Sequence, residues 1–228
     1  MISERRAGNT MRMRKVRGLA AIAALSILFV AIGPLLASVA IAKDDPTLTK
    51  APKALIDKTA QQIVTILGKV DAPSEQRVDE IQAIAYEIFD FTTMSKLVLA
   101  RKWRKLDKEQ RAEFVREFKQ HLSRTYGTRL DRYDQERVDV TGAQVEPKND
   151  VSVLTTIVGG QFDGAQISYR LRNRKDRWRI IDVVIEGISL VSNYRSQFAE
   201  VLNTGTIDDL LAKLRDKNFK VEEPDKAS

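Results

Sequence analysis

The sequence has no cysteine and a single histidine, His121, in 228 residues. Without thiols there is no disulfide, no cysteine-bound zinc or iron–sulfur cluster and no thiol nucleophile, and one imidazole leaves little for any other transition metal. Glycine and proline are scarce, at 11 and 6 residues, which argues against collagen-like and low-complexity architectures. A Gly-rich phosphate loop, a metal-ligand spacing and a dinucleotide fingerprint are all missing. What is present is a chain with 43% hydrophobic and 30% charged residues, long enough to bury one substantial core or two small ones.

The formal charge of +7 first suggests a nucleic-acid partner, but its distribution opposes that. Residues 1–42 hold Arg5, Arg6, Arg12, Arg14, Lys15 and Arg17 against Glu4, so five of the seven positive charges lie there and the rest of the chain is close to neutral. The apolar run from Leu19 follows, is broken at Gly33-Pro34, and ends in the small-residue stretch Ala40-Ile41-Ala42. A basic segment, an apolar segment and a small-x-small site form an export signal, with cleavage expected after Ala42, or after Ala40. The alternative is an uncleaved anchor, since Leu19 to Ala42 could span a bilayer of ~30 Å. The helix break at Gly33-Pro34 favours cleavage. The expected mature protein is exported and soluble, with a flexible polar tail at 222–228.

Periodicity divides the mature chain. Leu55, Thr59, Ile63, Ile66, Leu67 and Val70 form one helical stripe, and Val78, Ile81, Ile84, Ala85, Ile88 and Phe89 form another. A short helix from Thr92 or Thr93 to about Ala100 comes next. Asp107 and Gln110 then make a capping box that opens a long helix carrying Phe114, Phe118, Leu122 and Tyr126. The helical part is expected over about 47–133. From Val138 the period becomes two, giving strands at Val138–Glu146, Val151–Val158, Phe162–Arg172 and Trp178–Ile188. Short connections favour an antiparallel meander. Two closing helices, about 189–219, follow, the second capped by Thr206 and Asp209. The fold class is α+β: one antiparallel four-stranded sheet with helices gathered against a face, in a single domain over 43–221.

Few residues suggest covalent chemistry. His121 shares a helix face with Phe114, Phe118 and Leu122 and is expected to flank the core. Asp182 and Glu186 lie four apart in one apolar strand, on the same face but ~13 Å apart, too far for a shared-proton pair. Each is expected to pair with an arginine or to cap a helix. Two basic clusters contain a tryptophan: Arg101 to Lys105 around Trp103, and Arg170 to Arg179 ending at Trp178. A membrane surface or an acidic partner suits them better than nucleic acid. In the last strand, Ile181, Val183 and Ile185 read as one face, and Trp178, Ile180, Val184 and Ile188 as the other, so both faces carry apolar content that helices, a partner or a ligand must cover.

The strand-to-helix passage Asp182-Val183-Val184-Ile185-Glu186-Gly187-Ile188-Ser189-Leu190, continuing to Asn193-Tyr194-Arg195-Ser196-Gln197-Phe198, resembles the signature of the MlaC, or toluene-tolerance, family of periplasmic lipid-binding proteins. Asp90-Phe91-Thr92-Thr93-Met94 and Leu99-Ala100-Arg101-Lys102-Trp103-Arg104 resemble that family's other characteristic stretch, with Ala100 where the family commonly has glycine. The resemblance runs from roughly Ala54 to Leu214. It implies a nuclear-transport-factor-like cone packed with a helical subdomain around an apolar cavity. It also implies a carrier that moves phospholipid between an outer-membrane lipoprotein complex and an inner-membrane lipid-binding ring with an ABC transporter, without catalysis or cofactor. Some relatives accompany hopanoid synthesis, so a terpenoid cargo is an alternative.

Cavity residues expected on this basis are Phe89, Phe91, Leu97, Val98 and Tyr126 from the helices, and Ile181, Val183 and Ile185 from the sheet. Asp182, Glu186, Asn193 and Arg195 are expected to form a polar network at the strand-to-helix corner. Arg101, Arg104 and Arg172 are expected to dock membrane complexes, and the protein is expected to act as a monomer. Two other classes stay open: an enzyme on the same cone using Asp182 or Glu186, and an anchored adaptor retained by residues 19–42.

Overall fold

The computed structural model describes residues 45–127 and 136–216. The expected export signal, its cleavage site, the end of the helical part near Tyr133 and the tail from 222 lie outside the described residues.

The described residues form six α-helices and five strands: α1 (Pro46–Leu67), α2 (Ser74–Ile88), α3 (Phe91–Leu99), α4 (Lys108–Gly127), β1 (Arg137–Glu146), β2 (Asp150–Val158), β3 (Gln166–Arg174), β4 (Arg177–Ile185), β5 (Ile188–Ser189), α5 (Leu190–Thr204) and α6 (Ile207–Arg215). Caps fix the helix starts. Asp45 accepts from Thr47 N at 3.0 Å with Pro46 in the first turn, and Asp90 accepts from Thr93 N at 2.8 Å. The capping boxes at Asp107/Gln110 and Thr206/Asp209 both form.

The sheet is an antiparallel meander in the order β1-β2-β3-β4-β5. It has five strands rather than four. The apolar run expected to continue from Trp178 to Ile188 ends at Ile185, because Glu186 and Gly187 both adopt positive φ (49° and 80°) and turn the chain back into β5. A two-residue turn of this hand matches the twist of the strands it joins. Glutamate is an uncommon first residue for it, so the sequence pattern gives little warning.

A β-bulge corrects the face assignment in β4. Arg170 is opposite Asp182 while the next β3 residue, Leu171, is opposite Ile180, so Ile181 is the extra residue. The alternation therefore slips, and Trp178 and Ile180 share a face with Val183 and Ile185. A strict period of two had separated these pairs. Ile181 is buried without joining their cluster.

Two principal cores result. One joins α3, α4, α5 and α6 through Met94, Val98, Phe114, Phe118, Tyr194, Phe198, Leu210 and Leu214. Phe118 and Tyr194 meet edge to face with centroids 5.2 Å apart, as do Phe114 and Phe198 at 5.7 Å, while Phe114 and Phe118 stack. The other lies between α1 and the sheet, where Ile56 covers Val151, Val153, Leu171, Ile180 and Val183. Phe89 packs against both. Its segment is tied to the β4 edge by a parallel bridge to Ile180 and by Asp90 N donating to Ile180 O at 2.8 Å.

Between α3 and the 3-10 turn Ala100–Lys105, Ala100 has φ 47° and ψ −120°, a conformation that a Cβ disfavours by about 1–2 kcal/mol. This is the position where the family resemblance led one to expect glycine. Ala100→Gly is expected to raise stability by about 1 kcal/mol after the extra entropy of the unfolded glycine is counted. Urea unfolding of the pair measures it, and a destabilised variant would refute the strain.

Candidate functional site

The site is built from the side of the sheet that faces α1. In register across the strands, Ala143, Val153, Tyr169 and Val183 form one row, and Val151 and Leu171 lie beside it with Ile180. The period-two pattern of β2 and β3 puts this set on one side and Ser152, Ser168 and Arg170 on the other. Around the buried centre is a ring of half-buried apolar side chains that includes Leu48, Leu55, Ile88, Phe89, Ile167 and Ile185. The surface is thus deep, apolar and incompletely closed.

Its polar content is small. Thr155 donates its hydroxyl to Ile167 O at 2.8 Å. Burial pushes the Tyr169 hydroxyl up to about 12, against a hydrogen bond with Thr155 that acts the other way, so the phenol stays protonated at neutral pH. Among the described residues no group of three or more His, Asp or Glu is placed to hold a metal.

An open groove of about 330 Å³ lies beside this surface at the start of β4, lined by Ala51 and Leu55 of α1, Glu87 and Ile88 of α2, and Arg177, Trp178 and Arg179. Its volume is at the lower end of the range for small-molecule clefts, ~300–1,000 Å³. A second groove, of about 430 Å³, lies between α1 and α2 and is lined by Lys58, Gln61, Gln62, Thr65, Ile66, Lys69 and Ile84.

The structure divides the residues expected to line a cavity. Val183, Ile185 and Phe89 belong to the α1-facing surface. Leu97 and Val98 instead pack in the helical core, Val98 fully, because α3 turns that side toward α4 and α5, and Tyr126 of α4 packs against the same core. Phe91 also belongs there, stacked on Phe89 at 5.7 Å. Sequence reasoning missed Ala51, Glu87 and the pairing of Leu55 and Ile88 with Trp178. The helical stripes marked Leu55 and Ile88 as apolar, but nothing local shows that they meet the same strand.

The four residues expected to form one polar network make separate contacts. Asp182 accepts from Ser189 Oγ at 2.6 Å and from Val191 N at 3.0 Å, capping the entry to α5. Glu186, beyond the end of β4, accepts from Gln166 N. Asn193 accepts from Gln197 Nε2 at 3.0 Å within α5, and Arg195 donates to Leu97 O at 2.9 Å, joining α5 to α3. The turn at Glu186-Gly187 takes Glu186 out of line with Asp182, so the two carboxylates no longer share a strand face.

Of the basic residues, Arg101 and Arg104 are exposed on the 3-10 turn. Arg172 is not available in the same way: its Nε and Nη2 donate to the fully buried Asp150 carboxylate at 2.7 and 2.6 Å. His121 is buried beside Tyr194, with Nε2 3.0 Å from its hydroxyl, and loss of hydration, with Arg124 nearby, pulls its pKa down to about 4.

The arrangement as a whole is an apolar surface beside a groove, with Asp182 and Glu186 engaged in capping and turn contacts. The model of the family described as MlaC protein matches residues 57–216. The chain belongs to the MlaC family. Among its relatives, "Toluene tolerance protein ttg2D" of Pseudomonas putida is 27% identical over 165 residues, 69% of this chain and 77% of that protein. "Intermembrane phospholipid transport system binding protein MlaC" of Haemophilus influenzae is 22% identical over 124 residues, 52% of this chain and 57% of that protein. A solved phospholipid-binding protein from Ralstonia solanacearum, in complex with a phospholipid, superposes with a TM-score of 0.65. That match covers 73% of this chain and 96% of the other at 23% identity, and it shows a shared fold. Among the described residues of this MlaC-family chain, no helix is long and apolar enough to cross a membrane.

Proposed function

We propose that the protein is an exported, periplasmic carrier that shields the acyl chains of a phospholipid from water and performs no covalent chemistry. The observation that carries this reading is the half-buried apolar ring around the α1-facing side of the sheet, in a family whose relatives include a protein named for phospholipid transport. At ~0.8 kcal/mol per buried CH₂, two acyl tails cost on the order of 20 kcal/mol to expose, so transfer through water is slow unless a protein surface replaces the bilayer. Val183, Ile185 and Phe89 are the cavity residues of the sequence reading that this proposal retains, and Leu97, Val98 and Tyr126 support the helical core. The headgroup stays near solvent, where its charge keeps its hydration.

In this reading the protein shuttles as a monomer between an outer-membrane lipoprotein complex and an inner-membrane lipid-binding ring with its ABC transporter. Arg101 and Arg104 are its docking cations, and Arg172 is withdrawn from that role by Asp150. The test is mass spectrometry of an organic extract of the natively purified protein. About one phospholipid per chain is the expected result. A polycyclic terpenoid would keep the carrier and replace the cargo, whereas no bound lipid together with no uptake from liposomes would reject the carrier.

A further inference from the structure

The β3–β4 hairpin carries arginine at alternate positions of both strands. In register, Arg172 is opposite Arg179 and Arg174 is opposite Arg177, while Arg170 precedes them on β3. Directly opposed residues of a sheet point to one face, so alternation puts these side chains on the face away from Trp178 and Ile180, which belong to the α1-facing cluster. The inner end of this ladder is neutralised. Asp150 pairs with Arg170 at 3.2 Å and with Arg172 at 2.6 Å, and the charge of Asp90 also acts on Arg172. The outer end is not: among the described residues Arg174, Arg177 and Arg179 make no ion pair, and the turn adds Lys175 against Asp176. Arg174 and Arg177 are exposed, and Arg179 is half-buried. Like charges directly opposite one another on a sheet are destabilising. The hairpin therefore keeps an excess of positive charge that an anion outside the protein would relieve.

We infer that this hairpin docks the protein on the headgroups of an anionic phospholipid bilayer, with Arg174, Arg177 and Arg179 against the phosphates. Two features favour a bilayer over an acidic protein. Interfaces between proteins draw most of their energy from aromatic or apolar anchors seated in pockets. The residues beside these cations, Asn173, Lys175 and Asp176, are polar and exposed, and Trp178 is turned to the other face. Guanidinium groups also bind phosphate by charge-assisted, often bidentate hydrogen bonds, and a headgroup layer presents phosphate at every point, whereas a protein must place its carboxylates to match. The attraction is electrostatic and close to the surface, so it falls as salt shortens the screening length. The inference stands beside the carrier reading and does not depend on it, since the face that docks is not the face that meets α1.

The experiment sediments the natively purified protein with vesicles of phosphatidylcholine alone, or of phosphatidylcholine with roughly one-third phosphatidylglycerol, at low and at high NaCl. An Arg174→Gln/Arg177→Gln/Arg179→Gln variant is compared with the wild type and with Lys58→Gln/Arg137→Gln/Lys213→Gln, which removes the same charge from exposed positions on α1, β1 and α6. All three proteins share one N-terminus, so differences between them report the substituted residues. The wild-type protein is expected to bind the phosphatidylglycerol vesicles at low salt and to release them at high salt. The hairpin variant should bind them more weakly by on the order of 100-fold, and the control should retain most of the binding. The hairpin variant should also unfold in urea at a midpoint no lower than that of the wild type, because it removes opposed like charges. A lower midpoint would overturn the argument from repulsion. Vesicle binding by the hairpin variant at the wild-type level, or an equal loss in the control, would overturn the hairpin as the docking face. No preference of the wild type for phosphatidylglycerol vesicles would overturn the bilayer as its partner and leave the hairpin to an acidic protein. Lipid found in the extract of the purified protein, with no vesicle binding, would reject this inference and keep the carrier.

Discussion

Asp150→Ala is expected to lower the stability of the folded chain by about 3 kcal/mol, the largest effect of any single polar change in the sheet. Asp150 is fully buried at the start of β2, and its carboxylate accepts from Arg172 Nε and Nη2 at 2.7 and 2.6 Å and lies 3.2 Å from Arg170 Nη2. The bidentate fork is the strong form of this interaction. In keeping with it, the carboxylate raises the Arg172 pKa above its ordinary value. Removing the acid leaves two guanidinium groups against the sheet with no counter-charge, and that residual cost, more than the lost attraction, sets the size of the effect. Both arginines keep some access to water, so the loss falls at the low end of the range for broken buried pairs. Urea unfolding should show a lower midpoint at unchanged slope, and Tm should fall by about 10 °C. Arg137→Ala, which breaks the exposed, solvent-screened pair with Asp139, is the comparison and should leave the midpoint nearly unchanged. Equal effects in the two variants would show that burial of Asp150 does not govern the pair.

Acidification is the second large effect, and His121 sets its window. In the unfolded chain this histidine takes up a proton below its ordinary pKa of 6.5, whereas in the folded protein burial, helped by the charge of Arg124, holds the imidazole neutral down to about pH 4. The unfolded state therefore binds more protons between those values, and stability present above pH 6.5 is lost as pH falls toward 4. Between pH 7 and pH 5 the loss from this one group is about 2 kcal/mol, rising to about 3 near pH 4. The ring is held edge-on to Tyr194, with centroids 5.5 Å apart, and Nε2 is 3.0 Å from the tyrosine hydroxyl, so no repacking around a charged imidazole is close at hand. Glu117, one turn earlier on α4, is buried but engaged by Arg116 at 3.0 Å. Denaturant curves at pH 7 and pH 5 measure the effect. His121→Gln, which can still bond the tyrosine hydroxyl, should lose far less over that interval, and an unchanged pH dependence in that variant would assign it to other groups.

Much of the architecture is legible in local pattern because helices and strands announce themselves by spacing. The stripes through Phe114 and Phe118 and through Tyr194 and Phe198 gave the helical core, and the short connections after Glu146, Val158 and Arg172 gave the meander. What local pattern could not supply is register. The extra residue at Ile181 shifts the alternation of β4 by one, and the turn at Glu186-Gly187 ends the strand early; both depend on pairing with β3, which periodicity within one strand does not encode. The candidate site suffered for the same reason. Val98 and Val183 are both apolar and both near recognisable motifs, yet one is buried among α3, α4 and α5 and the other faces α1.

The sequence by itself determined that the chain lacks thiols and has a single imidazole, that it is an α+β domain, and that it resembles the MlaC family. These follow from composition, spacing and a string of residues, each of which is a property of the chain alone. Only the tertiary structure decided which apolar residues join the helical core and which face α1, and that Arg172 is consumed by Asp150. The physical reason is that hydrophobic burial is non-directional: the same leucine or valine is stabilised by any partner that excludes water. Cations behave alike in this respect, since a guanidinium becomes structural or available according to whether a buried carboxylate from another strand reaches it.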